Sequence, residues 1–251
     1  MALTLRQKVT IVLLALYWPC LFVLAHIPVP QLVSQAGVSD KSVHFLSYLI
    51  LVFFLWFSIN FDRKVDWRRA RGWLVFCLLV LYGVFDELSQ GYVGRNCDIM
   101  DLVLDIAGIF SGLVLFSLFT FWPSALLLTV IVIFGVTNIA RVNLADMMPV
   151  MGAVFHFSAY SVFTILWIVN MRLLRPMRLF KVGWLVSALV VPMVFLFAVK
   201  LFSLLIGRSF DLPDVIISIA AIVIVTGVVF LSSFRKTAFI ECEAKFEPAQ
   251  E

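Results

Sequence analysis

The sequence has few charged residues and few cysteines, and both shortages restrict what the chain can be. Asp, Glu, Lys and Arg make up 14% of its 251 residues, whereas 63% are hydrophobic. Soluble domains carry about 25% charged residues, so the composition excludes an ordinary soluble domain. The four cysteines show no pair with the spacing of zinc ligands, and they do not form the pattern of a disulfide framework.

Long apolar runs replace the missing charge. Runs of about 20 apolar residues are typical of transmembrane helices. We predict eight such helices, at residues 8–26, 42–60, 72–91, 99–121, 124–141, 151–170, 183–205 and 213–233. The sequence therefore predicts an all-α polytopic membrane protein. The first run contains Trp18-Pro19-Cys20 and no clean cleavage site follows it, so we expect an uncleaved anchor helix.

The basic residues indicate the orientation of these helices. Most of them flank helix one, lie between helices two and three or six and seven, or follow helix eight: Arg6, Lys8, Arg63, Lys64, Arg68, Arg69, Arg71, Arg172, Arg175, Arg178, Lys181, Arg235, Lys236 and Lys245. The positive-inside rule then predicts that both termini are cytoplasmic in a bacterial inner membrane. The net charge of +4 reflects this topology, and we expect no nucleic-acid partner.

An internal repeat organises the chain. Three motifs return at nearly constant spacing, namely His44-Phe45-x-x-Tyr48 as His156-Phe157-x-x-Tyr160, Gly72-Trp73 as Gly183-Trp184, and Gly94-Arg95-x-x-Asp98-x-x-Asp101 as Gly207-Arg208-x-x-Asp211-x-x-Asp214. We predict a parallel duplication of a four-helix unit, with units at 1–122 and 123–235 that meet at Trp122-Pro123, and a polar cytoplasmic tail at 236–251.

The two copies differ in their polar residues. The first has Asp86, Glu87, Gln90 and Asp105, where the second has Val199, Lys200, Ser203 and Ser218. The second unit therefore looks like a degenerate copy, and we expect the functional site in the first.

Three segments of the first unit carry polar residues to the same depth at the outer face. These residues are Lys41, His44 and Tyr48 at the start of helix two, Asp86, Glu87 and Gln90 at the end of helix three, Arg95 in the following loop, and Asp98, Asp101 and Asp105 at the start of helix four. Ionisable residues inside a membrane are costly, so such a group is a functional-site hypothesis. Gly108 and Gly112 continue the acidic face of helix four as a small-x-x-x-small stripe, which predicts close helix packing there.

Each candidate role has a structural alternative. His44 could act as a general acid or base, or be an interfacial histidine bound to a carbonyl or carboxylate. A carboxyl as deep as Glu87 must be paired, protonated or functional. Arg95 suits a phosphate, but it could equally pair with Asp98 three residues later.

The three aspartates of helix four also allow two interpretations. Asp98, Asp101 and Asp105 could bind a divalent cation through hard oxygen ligands. Asp98 and Asp101 could instead be favourable at a helix N-terminus simply through the helix dipole. The sequence leaves both open.

The ordered motifs Asp40-Lys41-x-x-His44-Phe45-x-x-Tyr48, Tyr82-Gly83-x-x-x-Glu87-x-x-Gln90 and Arg95-x-x-Asp98-x-x-Asp101 resemble the VanZ-like family. These are small bacterial membrane proteins named for a factor associated with teicoplanin resistance. The resemblance covers residues 38–115 and, in weaker form, 150–230. It implies a four-helix unit with an outward-facing polar cluster, among proteins proposed to act on lipid head groups or lipid-linked envelope precursors. The second unit departs from the usual single-unit form.

Two classes of function follow. The leading hypothesis is a cell-envelope protein that acts on a phosphorylated lipid or lipid-linked precursor at the outer leaflet, by head-group transfer or phosphoester chemistry. It assigns catalysis to Glu87, His44 and Asp101, substrate binding to Arg95, Lys41, Tyr48, Gln90 and Asp86, and a divalent cation to Asp98, Asp101 and Asp105. The alternative is a non-catalytic lipid binder or transporter, or an accessory subunit of an envelope enzyme. The sequence does not decide whether the protein is an enzyme.

The charge asymmetry makes the topology testable. We expect a reporter fused after Arg68 or Arg178 to be cytoplasmic, and one inserted near Arg95 or Ser209 to be external. Fusion reporters that are active on only one side of the membrane measure this directly. A cytoplasmic signal near Arg95 would place the polar cluster in the wrong compartment.

Overall fold

The computed structural model of the chain describes residues 3–26, 40–92, 98–139, 149–174, 182–208 and 211–246. Within these ranges it contains eight α-helices and no strand: α1 Leu5–His26, α2 Asp40–Ile59, α3 Ala70–Tyr92, α4 Ile99–Leu118, α5 Phe121–Phe134, α6 Pro149–Leu174, α7 Val182–Leu205 and α8 Leu212–Phe246. A π-helical turn, Gly135–Ile139, follows α5. Seven of these helices, and α5 together with the π-helical turn, contain a stretch long and apolar enough to cross a membrane. The predicted all-α polytopic fold is confirmed, and the chain is a multi-pass membrane protein.

The last helix is longer than predicted. We expected helix eight to end at 233 and a polar tail to begin at 236, whereas α8 continues to Phe246. No glycine or proline lies between Gly227 and Phe246, so nothing in this stretch breaks the helix. The polarity of the segment therefore ends the membrane span without ending the helix.

The chain divides into two compact units, Met1–Asn143 and Leu144–Glu251. The first thus includes α5, which the predicted boundary at 122 had assigned to the second. Side-chain packing explains the difference, because the Phe121 ring lies 5.5 Å from that of Phe53 and 5.2 Å from that of Phe57, both on α2. The Trp122-Pro123 pair lies in the first turn of α5, within the first compact unit.

The centre of the first unit is the close contact between α2 and α4. A Cβ atom built on Gly112 would lie 2.5 Å from Val52 Cγ1, and one on Gly108 would overlap the carbonyl oxygen of Phe45. Because both positions lack a side chain, the two backbones approach closely, as the small-x-x-x-small stripe predicted. The packing also brings the first turns of α4 against the first turns of α2.

The second unit is built from α6, α7 and α8. Trp184 of α7 is 1% exposed and packs with Ile168 and Met171 of α6 and with Ala188. Near the middle of these helices, the Phe163 and Phe195 rings are 4.6 Å apart. Helix α6 carries the second His-Phe-x-x-Tyr motif and packs along α8, as α2 packs along α4 in the first unit.

Substitution of Gly108 tests the contact between α2 and α4. We expect Gly108→Ala to lower the thermal unfolding midpoint of the purified protein, because the added methyl group meets a backbone oxygen that cannot rotate away. Overpacking of this kind typically costs about 1–3 kcal/mol.

Gly91 in α3 provides a matched control for this substitution. A Cβ atom there meets nothing within 4 Å, so Gly91→Ala should leave the midpoint unchanged or raise it. Equal midpoints for Gly108→Ala and the wild type would contradict the close approach of the two helices.

Candidate functional site

Helices α2, α3 and α4 bring most of the predicted site residues together in one buried group. We call this group the polar cluster, and its members are His44, Tyr48, Asp86, Glu87, Gln90, Asp101 and Asp105, all of them buried. They come from the first turns of α2, the last turns of α3 and the first turns of α4. The sequence predicted this convergence from depth alone, and the helix packing now supplies the individual contacts.

His44 lies between two carboxylates of α4. Its Nδ1 atom is 3.0 Å from Asp105 Oδ1, and its Nε2 atom is 3.8 Å from Asp101 Oδ2. Positions four residues apart lie on one face of a helix. Asp101 and Asp105 therefore contact the two nitrogens of the His44 ring from the same face of α4. The shorter contact fixes the orientation of the imidazole, as a carboxylate does for the general base in many hydrolytic sites.

Glu87 connects α3 to the start of α4. Its Oε1 atom accepts a hydrogen bond from the backbone amide of Asp98. Asp98 is itself the N-cap of α4, and its side chain accepts from the Met100 amide over 2.9 Å. One carboxylate oxygen of Glu87 thus has a structural partner, which leaves the other for chemistry.

Lys41 lies at the edge of the cluster. Its Nζ atom is 3.9 Å from Asp98 Oδ2, and each side chain is about half exposed. Exposed pairs of this kind contribute little to stability. The ammonium group of Lys41 is therefore available to another anion at the mouth of the site.

A histidine of α1, His26, lies next to Asp86 at one side of the polar cluster. Gln90 Nε2 donates to Asp86 Oδ2 over 3.1 Å, and His26 Nδ1 lies 3.9 Å from Asp86 Oδ1. The His26 ring is held by Ser89, whose Oγ atom is 2.9 Å from His26 Nε2. Sequence reasoning missed His26, although the chain has only three histidines and this one ends the first helix at the depth of the cluster.

The two tyrosines of the motifs line the inner side of the cluster. The rings of Tyr48 and Tyr82 are 6.0 Å apart, and Trp18 of α1 packs edge-on against Tyr82. A Cβ atom on Gly83 would lie 3.6 Å from Tyr48 Oη and 3.7 Å from Asp105 Oδ2. The Tyr82-Gly83 pair thus supplies one aromatic wall and lets α3 approach the phenol and the carboxylate.

Several buried polar atoms of the cluster have unused hydrogen-bonding capacity. Among the described residues, no hydrogen-bond partner is found for Tyr48 Oη, Asp86 Oδ1, Glu87 Oε2 or Asp105 Oδ2. A buried polar group without a partner costs roughly 1–3 kcal/mol. Four such unpartnered atoms in one cluster would destabilise the fold without any structural benefit. They therefore indicate a site where these atoms exchange protons or bind a ligand.

Two predicted features are not part of this geometry. Arg95 lies outside the described residues. Of the predicted cation ligands, Asp98 contacts Lys41 and the Met100 amide, whereas Asp101 and Asp105 face His44. Across the described part of the chain, no group of three or more His, Cys, Asp or Glu residues is arranged to hold a metal ion, so the divalent cation stays a prediction.

The second unit contains a corresponding but self-contained set of contacts. His156 Nε2 lies 3.1 Å from Asp214 Oδ2, and His156 Nδ1 lies 3.5 Å from Ser218 Oγ. Lys200, at the position that matches Glu87, places its Nζ atom 3.5 Å from Asp214 Oδ2. The same two ring nitrogens thus contact the matching positions of the partner helix, but here a lysine, an aspartate and a serine satisfy one another.

Comparison with known proteins agrees with the motifs. The family model of VanZ/LLP1 matches residues 8–120. Neither the curated proteins nor the solved structures give a match. The matched segment runs from the first turn of α1 to the end of α4 and includes every member of the polar cluster. The first four helices are therefore similar to the VanZ-like membrane proteins.

Proposed function

We propose that the protein binds a phosphorylated lipid or lipid-linked precursor at the outer leaflet of the bacterial inner membrane and acts on its head group. The observation that carries this proposal is the polar cluster, in which four buried polar atoms have no hydrogen-bond partner among the described residues. Similarity to the VanZ-like family supports an envelope membrane protein. A head group is the part of a lipid that reaches the ends of transmembrane helices, where the cluster lies.

A cationic side chain at the mouth of the site favours a phosphate. Lys41 is half exposed and loosely paired with Asp98, and Arg95 follows α3 in the sequence. Ammonium and guanidinium groups form strong charge-assisted hydrogen bonds with phosphate oxygens. In this proposal Lys41 and Arg95 bind the phosphate, while the buried carboxyl groups stay behind it.

The cluster contains groups suited to proton transfer. His44, oriented by Asp105, would accept the proton of an attacking water or hydroxyl group. Glu87, through Oε2, would deliver a proton to the oxygen that leaves the phosphorus. Asp101, 3.8 Å from the His44 ring, would stabilise the imidazolium ion.

Tyr48, Gln90 and Asp86 would complete the site as binding groups. Tyr48 Oη and Asp86 Oδ1 are both buried without a hydrogen-bond partner among the described residues. Gln90 holds the other oxygen of Asp86, so it orients that carboxyl group. His26 of α1 lies beside the same aspartate, with its Nδ1 atom 3.9 Å from Asp86 Oδ1 and 2.8 Å from the carbonyl oxygen of Phe22.

A non-catalytic role is the second candidate, and the second unit favours it. His156 and Tyr160 persist there although the acidic residues Asp86, Glu87 and Asp105 have no acidic match. His156 has Asp214 and Ser218 as partners. The His-Phe-x-x-Tyr motif can therefore serve packing. A lipid binder, a transporter or an accessory subunit of an envelope enzyme would need the shape of the site without proton transfer.

Replacement of Glu87 separates these roles. We expect Glu87→Gln to abolish the envelope phenotype that the protein confers while its membrane level stays near normal. Glutamine keeps an oxygen that can accept from the Asp98 amide, so the structural contact survives. Loss of a general acid typically lowers a rate by about 10²–10⁴-fold. The measurement is complementation of a deletion strain, normalised to membrane abundance.

Lys200→Gln at the matching position is the control. Because Lys200 pairs with Asp214, we expect the Lys200→Gln substitution to lower protein abundance more than specific activity. The double variant should resemble Glu87→Gln. A fully active Glu87→Gln beside an inactive, normally abundant Lys200→Gln would assign the working site to the second unit. If both variants are active, the non-catalytic role is favoured.

A further inference from the structure

An apolar groove lies beside the polar cluster in the first unit. It has a volume of about 390 Å³ and is formed by α2, α4 and α5, with Phe45, Leu46, Leu104 and Phe134 among its walls. Lys41 and Ser42 are the polar residues at its edge, and both belong to the first turn of α2. The volume lies within the range of about 300–1,000 Å³ that is usual for small-molecule sites.

The end of α5 has an unusual backbone where it borders the groove. The α-helix ends in the π-helical turn Gly135–Ile139. Such turns are rare in proteins, and those that occur are often found at functional sites. A Cβ atom on Gly135 would lie 2.9 Å from Leu46 Cδ1. A larger residue at position 135 would therefore displace the Leu46 side chain, which lines the groove, and reshape this wall.

The groove and the polar cluster lie on two sides of the same helix pair. On α2, Phe45 faces the groove whereas His44 faces the cluster, and on α4 the neighbours Leu104 and Asp105 are divided in the same way. The closely packed α2–α4 pair thus separates an apolar compartment from a polar one. This arrangement matches a molecule with an apolar part and a polar part.

A short path joins the two compartments around the ends of α2 and α4. Lys41 borders the groove, and its Nζ atom lies 3.9 Å from Asp98 Oδ2. The backbone amide of Asp98 in turn donates to Glu87 inside the cluster. A ligand that lies in the groove therefore has its polar end at Lys41, next to the N-cap of α4.

From this arrangement we infer that the groove binds an acyl chain of the phosphate-bearing lipid whose head group the polar cluster receives, with Lys41 on the phosphate. The inference rests on the proposed function and names how its substrate is held. Apolar walls within the membrane span accept hydrocarbon, and a single cation at the rim complements an anionic phosphate. Lys41 can leave Asp98 for this phosphate because its present contact is long and half exposed.

Photo-crosslinking of the full-length protein tests the inference. The protein is reconstituted into phosphatidylcholine vesicles that contain a phosphatidic acid with a diazirine on one acyl chain, and adducts are mapped by peptide mass spectrometry. We expect adducts to concentrate at residues 41–46, 104 and 130–135. The exposed α3 residues Phe85 and Leu88 provide the comparison for bulk lipid contact. An even distribution over the lipid-facing helices would refute the groove.

A second probe and a rim variant test the role of the phosphate. A diacylglycerol with the same diazirine chain should label the groove less than the phosphatidic acid does. Lys41→Gln should reduce that preference by roughly tenfold, as expected for a lost charge-assisted hydrogen bond. A preference that does not change in this variant would contradict the assignment of Lys41 to the phosphate.

Two adjacent positions on α4 provide a matched pair of steric variants. Leu104→Trp fills the groove and should lower labelling there, whereas Val103 is 47% exposed outside the groove, so Val103→Trp should not. Size-exclusion chromatography checks that both remain monodisperse. If Leu104→Trp aggregates, the wild-type adduct map and the Lys41→Gln variant decide whether the groove binds the acyl chain. An equal loss of groove labelling in both tryptophan variants would contradict binding in the groove.

The labelling experiment can be separated from the test of catalysis. It measures binding, whereas Glu87→Gln measures a proton-transfer role. Groove labelling together with a fully active Glu87→Gln would support the groove and refute the proposed chemistry. Even labelling together with an inactive Glu87→Gln would refute the groove and leave the polar cluster as the site of action.

Discussion

The close approach of α2 and α4 is the constraint on which the first unit depends. Gly108 and Gly112 remove two side chains from the interface, so the backbone of α4 contacts that of α2 near Phe45. Helix association within a membrane gains little from the hydrophobic effect and relies on such close van der Waals packing. The contact fixes the rotation of α4, and that rotation directs Asp101 and Asp105 toward His44. A small change in rotation would separate the histidine from both carboxylates.

The histidines of the two units have corresponding contacts, His44 with Asp101 and Asp105 and His156 with Asp214 and Ser218. In the second unit, Lys200, Asp214 and His156 contact one another, although Tyr160 Oη, like Tyr48 Oη, has no hydrogen-bond partner among the described residues. In the first, the acidic groups outnumber their partners, and Glu87 Oε2 and Asp105 Oδ2 lack hydrogen bonds within the described residues. Incomplete pairing is costly in a membrane. We attribute its presence in the first unit to function, because a purely structural cluster could have the pairing of the second.

The helix pair also divides the first unit by polarity. Successive residues on α2, such as His44 and Phe45, face a polar compartment and an apolar one, and Lys41 marks where the two meet. An amphiphile has the same division along its length. The proposed function and the inferred groove thus concern the two ends of one ligand, and the α2–α4 contact is the common wall that orients it.

The sequence by itself determined the number of helices, the family resemblance, and the depth of the polar residues, because hydropathy and spacing fix positions along and around a single helix. Tertiary structure alone decided which groups meet. It assigned α5 to the first unit through Phe121, added His26 beside Asp86, and made one oxygen of Glu87 a partner of the Asp98 amide. It also showed that α8 continues to Phe246 beyond the membrane span. These contacts join residues distant in the chain, and local periodicity carries no information about which helix faces which. The motifs located the site, whereas the packing of α1, α3 and α4 around α2 determined its geometry.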